Sequence, residues 1–303
     1  MLNNFFGKSS PINFVIIVGI FLIYFFSHYF VGFSQISINE IIILIALTLL
    51  IFFFYNFILF KNKLTLYNSY GFLIFVVLFG IISSTNFDRN IILFHGLLLV
   101  FLRRVYSLRT DKNISGKLFD SGFWLGIFFI FEPFSAVFGV LIYLSNGLFQ
   151  KMNWQSLFIP VVGFFTTLFC AFAYYFWLDQ TVIFWSYFDW YSSYDVSIYN
   201  QLSLKLPLYV IGIITFLTFI IKTPKVIGVS GDYRKYWILI TVNLILTILF
   251  ILLLRNKSGA EVQYLFFPIS IIIANGIESI NRKSIREVML ILALLMPILM
   301  LII

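Results

Sequence analysis

Charged residues are scarce in this sequence: they make up 11% of the chain, whereas 61% of its residues are hydrophobic. Globular domains carry about 25% charged residues, so a soluble chain this apolar could not cover its surface with polar groups. A bilayer removes that requirement because its acyl chains solvate Phe, Ile and Leu directly. The hydrophobic runs are continuous rather than short and alternating, which argues against a transmembrane barrel. We therefore predict an all-α, polytopic transmembrane helix bundle in contact with membrane lipid.

Cysteine and histidine are nearly absent. The single cysteine, Cys170, excludes an intramolecular disulfide and a thiolate metal cluster. His28 and His95 have no second ligand at a spacing typical of zinc sites, so we predict no metal site. The sequence also lacks a GxGxxG motif, a P-loop and an HExxH motif, and it specifies no cofactor.

Basic residues outnumber acidic ones, 20 to 12, which gives a net charge of +8. In a soluble protein this excess would suggest nucleic acid, but here the cations lie in short loops between apolar runs, where they set orientation in the membrane. We therefore predict no nucleic-acid partner. Lys8 precedes the apolar run Ile12–Phe33, which is too long for a signal-peptide core and is followed by no small-residue cleavage site. This run is predicted to be the first permanent crossing.

The apolar runs indicate about eleven crossings of roughly 17–25 residues each. Ten runs carry them: Ile12–Phe33, Ile41–Phe60, Leu64–Ile82, Asn86–Val105, Leu118–Phe149, Ser156–Leu178, Leu206–Ile221, Trp237–Leu254, Val262–Ile280 and Ile285–Ile303. No soluble insertion or internal repeat is evident, so residues 1–303 are predicted to form a single integral membrane domain.

The run Leu118–Phe149 decides the topology. As one helix it would measure about 48 Å, against a hydrocarbon core of about 30 Å. It contains Glu132-Pro133 near its middle, and a charge at the bilayer centre costs about 3 kcal/mol or more. The residue before a proline also disfavours helix. We therefore predict two short helices with Glu132 at the turn between them, and we expect Arg89 or Arg255 to pair with its carboxylate.

Counting charges tests this split. With a cytoplasmic N-terminus and two crossings in the run, 16 of the 20 cations lie in inner loops, whereas a single crossing leaves 11 inside. The positive-inside rule favours the split. The outer face then gathers most acidic residues: Glu40, Asp88, Glu132, Asp179, Asp189, Asp195 and Glu261. Its cations are Arg89, Lys205, Arg255 and Lys257.

The segment Asp179–Lys205 is the longest predicted loop, and it is rich in Trp and Tyr. These side chains favour the membrane interface, and their faces also suit stacking on sugar rings. Both interpretations of the loop stay open. Gly122-x-x-x-Gly126 in the run Leu118–Phe149 is typical of close helix packing.

Three stretches resemble the GT-C superfamily of polyprenyl-phosphate-sugar glycosyltransferases. Leu118–Leu144 is similar to the family's paired short helices, the loop Gln150–Gln155 before the run Ser156–Leu178 is similar to its basic loop and long helix, and Val262–Pro268 is similar to its "RYxxxxxP" pattern. The turn residue is Glu132 where the family has Lys or Arg, and Gln263 stands at the Arg of the late pattern. The whole chain also resembles an uncharacterised bacterial family of multi-pass membrane proteins.

The GT-C resemblance implies a site on the outer face of the bacterial inner membrane that handles a polyprenyl-phosphate sugar. It implies a catalytic acid in the first outer loop, where Glu40 is the candidate general base. Asp88, which lies farther along the chain, is the alternate candidate. Arg89, Arg255 and Lys257 would neutralise the lipid phosphate. The remaining candidate substrate-binding residues are Glu132, Gln263, Tyr264, Trp185 and Trp190.

A second hypothesis belongs to a different class. The chain would be a non-catalytic subunit or scaffold that organises a membrane protein partner in envelope assembly or secretion. The charge differences from the GT-C pattern favour this alternative.

Overall fold

The computed structural model describes residues 2–32, 37–66, 68–83, 88–188, 190–228 and 231–300. The fold is 83% helical, and the described residues form no strands, which confirms the all-α prediction. The residues outside this description include Asp189, Tyr67, part of the first outer loop, the ends of the first and last predicted crossings and the start of the predicted crossing Asn86–Val105.

The helices follow one another through short connections. In chain order they are α1 (Leu2–Phe6), α2 (Pro11–Gly32), α3 (Ile38–Asn62), α4 (Tyr70–Ser83), α5 (Arg89–Tyr106), α6 (Ile114–Phe131), α7 (Gly139–Leu148), α8 (Trp154–Trp177), α9 (Thr181–Ser186), α10 (Leu202–Ile227), α11 (Asp232–Leu253), α12 (Phe266–Glu278) and α13 (Lys283–Met300). Short 3₁₀ segments are Ser107–Arg109, Pro133–Phe138, Ser197–Asn200 and Ala260–Leu265.

Seven helical segments within the described part of the chain are long and apolar enough to cross a membrane. They are Ile38–Asn62, Arg89–Arg109, Ile114–Phe131, Trp154–Trp177, Leu202–Ile227, Asp232–Leu253 and Ala260–Glu278. Shorter apolar segments are Pro11–Ser27, Tyr70–Ile81 and Pro133–Leu148. The chain is therefore a multi-pass membrane protein by length and composition, and eleven crossings stay a proposal.

The chain divides into two compact units. Unit 1 comprises Met1–Ile92, Asp195–Tyr233 and Lys257–Ile303, and unit 2 comprises Leu93–Tyr194 and Arg234–Asn256. Two such units can belong to one membrane domain, so the single-domain prediction stays a prediction.

The core of unit 1 is built around α12, which packs against α4 and α10. The segment Ala260–Glu278 is 94% buried, so protein rather than lipid surrounds it. Tyr55 of α3 stacks on Phe75 of α4 with ring centroids 3.7 Å apart, and its hydroxyl lies 2.7 Å from the Ser270 hydroxyl. Aromatic packing and one satisfied polar contact thus lock α3, α4 and α12 together.

In unit 2 the helix breaks at Glu132, which has extended backbone angles of φ −136° and ψ 92°. The Pro133–Phe138 segment follows. The chain then folds back on α6, where the rings of Phe128 and Phe138 stack with their centroids 6.2 Å apart. Ser145 near the end of α7 donates to the Val105 carbonyl at the end of α5, over 2.8 Å. These contacts confirm the predicted split into two helices, with Glu132 at the turn.

Candidate functional site

The predicted site residues fall in both units, and each set is described within its own unit. Unit 1 contains Glu40, Asp88, Arg89, Lys257, Gln263 and Tyr264. Unit 2 contains Glu132, Trp185, Trp190 and Arg255.

The two predicted catalytic carboxylates lie at helix starts. Glu40 is exposed in the first turn of α3, and its backbone N–H donates to the Ser37 hydroxyl over 3.3 Å. Asp88 accepts a hydrogen bond from the Asn90 backbone N–H at 2.7 Å just before α5, whose first residue, Arg89, is exposed. Carboxylates at these positions stabilise a helix through its dipole and free N–H groups. This explains both acids structurally, and their catalytic roles stay predictions.

Glu261 is the most deeply buried carboxylate in the part of the chain that the structure describes, with 0% of its surface exposed. The Tyr199 hydroxyl donates to Oε1, and the Ser258 backbone N–H donates to Oε2 over 3.0 Å. The Ser258 hydroxyl lies 3.3 Å from Oε2. Both oxygens are therefore satisfied, which is what a buried carboxylate requires. The sequence predicts Glu261 to be an outer acid and gives no sign of this burial.

The neighbours of Glu261 in unit 1 include three of the predicted binding residues. Gln263 and Tyr264 are 3% and 1% exposed within the 3₁₀ segment Ala260–Leu265, so little of either side chain is open to a ligand. Hydrogen bonds from Ser197 and, more weakly, the charge of Lys257 hold the pKa of Asp195 below its ordinary value. Lys257 thus has a carboxylate near it, and its role in binding phosphate stays a prediction.

We expect the Tyr199→Phe variant to unfold more easily, because it deletes the donor to a buried carboxylate oxygen. A hydrogen bond to a charged group contributes about 1.5–3 kcal/mol. Thermal unfolding of the purified protein in detergent measures the change. Tyr209→Phe in α10 is the matched control, since Tyr209 is 62% exposed. Equal unfolding temperatures for the two variants would contradict the contact.

The Glu132 turn in unit 2 holds a half-buried carboxylate. Burial raises the pKa of Glu132 from 4.5 to about 7. The carboxylate forms no hydrogen bond or ion pair among the described residues, and the expected pairing with Arg255 is not made. Instead the Arg255 guanidinium lies over the Tyr191 ring, 5.9 Å from its centroid. A carboxyl group with a pKa near neutrality can both accept and donate a proton.

A cluster of aromatic side chains packs on residues next to this turn. Trp190 packs on Phe129 and Phe134, with ring centroids 6.0 and 5.9 Å apart, and these two residues flank Glu132 in sequence. Trp185 contacts Phe188 at 6.0 Å, and Phe188 contacts Phe129 at 5.7 Å. Trp190 keeps 54% of its surface exposed. About half of Trp190 is therefore open, next to two residues that flank a titratable carboxyl in sequence.

Trp190 thus contacts two residues close to Glu132 in sequence, Trp185 is linked to one of them only through Phe188, and Arg255 lies over Tyr191, the residue after Trp190. Exposed aromatic faces suit stacking on sugar rings, and a guanidinium suits a phosphate. Within the described residues, no group of three or more His, Cys, Asp or Glu side chains is placed to hold a metal ion. Comparison with protein-family models, curated proteins and solved structures finds no match to this chain.

Proposed function

We propose that this chain handles a polyprenyl-phosphate-linked sugar at the outer face of the bacterial inner membrane, as a GT-C-like glycosyltransferase, and that the Glu132 turn of unit 2 is its site. The observation that carries the proposal is the half-buried carboxyl group of Glu132, with its raised pKa, in a turn whose flanking residues Phe129 and Phe134 contact the partly exposed Trp190. Carboxyl groups with a strongly perturbed pKa are common at functional sites.

The orientation follows from the distribution of charge in unit 2. Lys117 at the start of α6 donates to the Ser107 carbonyl, and Lys151 pairs with Asp111, so these cations gather where α5 ends and α6 begins. Glu132 lies at the other end of α6. The positive-inside rule then directs the basic end to the cytoplasm and the Glu132 turn outward.

The chemistry assigns one role to each group. Glu132 takes the proton of the acceptor hydroxyl, whose oxygen then forms a bond to the anomeric carbon of the donor sugar. The bond from that carbon to the lipid phosphate breaks, and the phosphate leaves with the electron pair beside the Arg255 guanidinium. Trp185 and Trp190 stack on the sugar rings. We prefer Glu132 to Glu40 as the base because Glu40 is exposed at a helix start.

A specific observation favours the second candidate function, a non-catalytic membrane subunit. Glu40 and Asp88, which the GT-C resemblance implies as catalytic, both stand at the beginnings of helices. A scaffold needs no base and would use such residues for stability alone. Co-purification of a stoichiometric membrane protein partner, together with normal surface glycan in the Glu132→Gln variant, would support the scaffold.

We expect Arg255→Ala to weaken the binding of a short-chain polyprenyl phosphate by about 10-fold or more, because one charge-assisted contact is lost. The measurement is quenching of tryptophan fluorescence in nanodiscs, since Trp185 and Trp190 stand at the site. Lys112→Ala is the matched control because Lys112 is exposed in the connection before α6. The absence of saturable binding to the unmodified protein, or an equal effect in the control, would refute the proposed site.

A further inference from the structure

Unit 1 contains a polar pocket of about 570 Å³ that the proposed function does not use. Lys8, Asn68, Tyr70, Glu278 and Arg286 are among its lining residues. They come from the segment between α1 and α2, the residues before α4, the end of α12 and the first turn of α13. The pocket therefore lies where five helices begin or end.

This position corresponds to the level of lipid headgroups. The segments Pro11–Ser27, Tyr70–Ile81 and Ala260–Glu278 are apolar, and each has one end at the pocket. Apolar side chains that follow the lining residues Lys8 and Arg286 in sequence are exposed: Ile12 and Val15 on α2 are 65% and 67% exposed, and Val288 on α13 is 54% exposed. A molecule with its polar head in the pocket can lay acyl chains along these faces.

The carboxylate of Glu278 is only partly satisfied. Its Oε1 accepts hydrogen bonds from the Leu66 backbone N–H at 3.1 Å and from the Asn68 amide at 2.6 Å. Its Oε2 is buried and has no hydrogen-bond donor among the described residues. A buried carboxylate oxygen without a donor is costly.

The cations of the pocket supply the complementary charge. Lys8 is exposed. Arg286 donates from Nε and Nη2 to the carbonyls of Ile280 and Glu278, which holds its guanidinium at the pocket. Two cations suit a phosphate, and one carboxylate suits an ammonium group. A ligand that carries both groups matches the pocket in charge and in hydrogen bonding.

We propose that this pocket binds a membrane phospholipid with a phosphoethanolamine headgroup, with the phosphate on Lys8 and Arg286 and the primary amine on Glu278. The site belongs to unit 1 alone and is independent of the sugar site proposed above.

The test uses the full chain, purified and stripped of lipid, and native mass spectrometry with an equimolar mixture of phosphatidylethanolamine, phosphatidylcholine and phosphatidylglycerol. We expect the unmodified protein to retain phosphatidylethanolamine about tenfold over the other two, because its ammonium group brings both a positive charge and N–H donors to the carboxylate, whereas choline has no N–H and glycerol has no positive charge. Retention that falls stepwise with each N-methyl group added to the headgroup would support the proposal without any variant. Equal retention of the three lipids would overturn it.

Single substitutions test which side chain binds the amine and which binds the phosphate. Glu278→Gln keeps an oxygen that can accept from Leu66 and Asn68, and it should abolish the preference for the primary amine. Lys8→Ala should lower the retention of phosphatidylethanolamine and of phosphatidylglycerol. Lys283→Ala, an exposed cation in the first turn of α13 outside the pocket, is the matched control and should behave as the unmodified protein. An unchanged preference in Glu278→Gln would refute a lipid held in this way. Full displacement of the bound lipid by soluble phosphoethanolamine, added at the same concentration as the lipid, would also refute it.

Discussion

Replacing Glu132 with glutamine is expected to lower sugar transfer from a polyprenyl-phosphate donor by about 100-fold or more, because a positioned general base contributes about 10²–10⁴-fold to rate. Glutamine has nearly the same shape and cannot accept the proton of the acceptor hydroxyl. The assay is incorporation of labelled sugar in membranes that contain equal amounts of each variant. Cell-surface glycan measured in the same strains provides the second readout.

The matched control is Asp179→Asn, which removes an exposed carboxylate at the end of α8 in the same unit. Asp179 has a φ of 54°, a conformation that asparagine also adopts readily, so the fold should be unaffected. Full activity in Glu132→Gln, with a loss in Glu40→Gln, would transfer the role of base to Glu40. Full activity in both would remove the enzyme hypothesis and leave the scaffold.

The pH profile separates a base from a structural residue. With a pKa of about 7, Glu132 must lose its proton to act, so the transfer rate should rise as pH increases through 7 and level off above it. The stability of the fold should instead fall as pH increases. The folded-state pKa lies above the ordinary 4.5, so the neutral form favours folding, and this contribution is complete below 4.5 and is lost as pH rises through about 7. Glu132→Gln should remove both trends.

Local chemistry made part of this architecture predictable. The break at Glu132 follows from a charge and a proline in an apolar run that is too long for one crossing. Both causes act within a few residues, so they are visible in the sequence. The multi-pass helical character follows in the same way from the continuous apolar runs. The number of crossings depends on how short helices such as α4 and α7 sit in lipid, which hydropathy alone does not determine.

The parts that were not predictable depend on tertiary contacts. Trp190 meets Phe129 and Phe134 across about sixty residues of chain, and no periodicity in the sequence signals that pairing. Arg255 was predicted to balance Glu132, yet its guanidinium lies over Tyr191 instead. Glu261 was counted among exposed outer acids, although Tyr199, sixty-two positions earlier, covers it. Burial of a carboxylate is a property of the packed chain and cannot be read from its neighbours in sequence.

The close contact between α6 and α8 in unit 2 supports the Glu132 turn, and it depends on glycine. A Cβ atom added at Gly122 would lie 1.9 Å from the Pro160 carbonyl oxygen, and one at Gly163 would lie 2.3 Å from the Phe119 carbonyl oxygen. Both obstacles are backbone atoms, so a larger residue can be accommodated only if the helices move apart. This arrangement confirms the predicted packing role of Gly122-x-x-x-Gly126.

Gly122→Ala and Gly163→Ala are therefore each expected to destabilise the protein by about 3 kcal/mol or more, the upper range for overpacking, because a whole helix must shift. Gly96→Ala in α5 should instead stabilise the protein. No atom lies within 4 Å of the added Cβ there, and alanine favours a helix over glycine by up to about 1 kcal/mol. Unfolding in mixed micelles with increasing denaturing detergent measures all three variants. If Gly122→Ala is as stable as Gly96→Ala, then α6 and α8 are not in backbone contact, and the Glu132 turn lacks the support of α8.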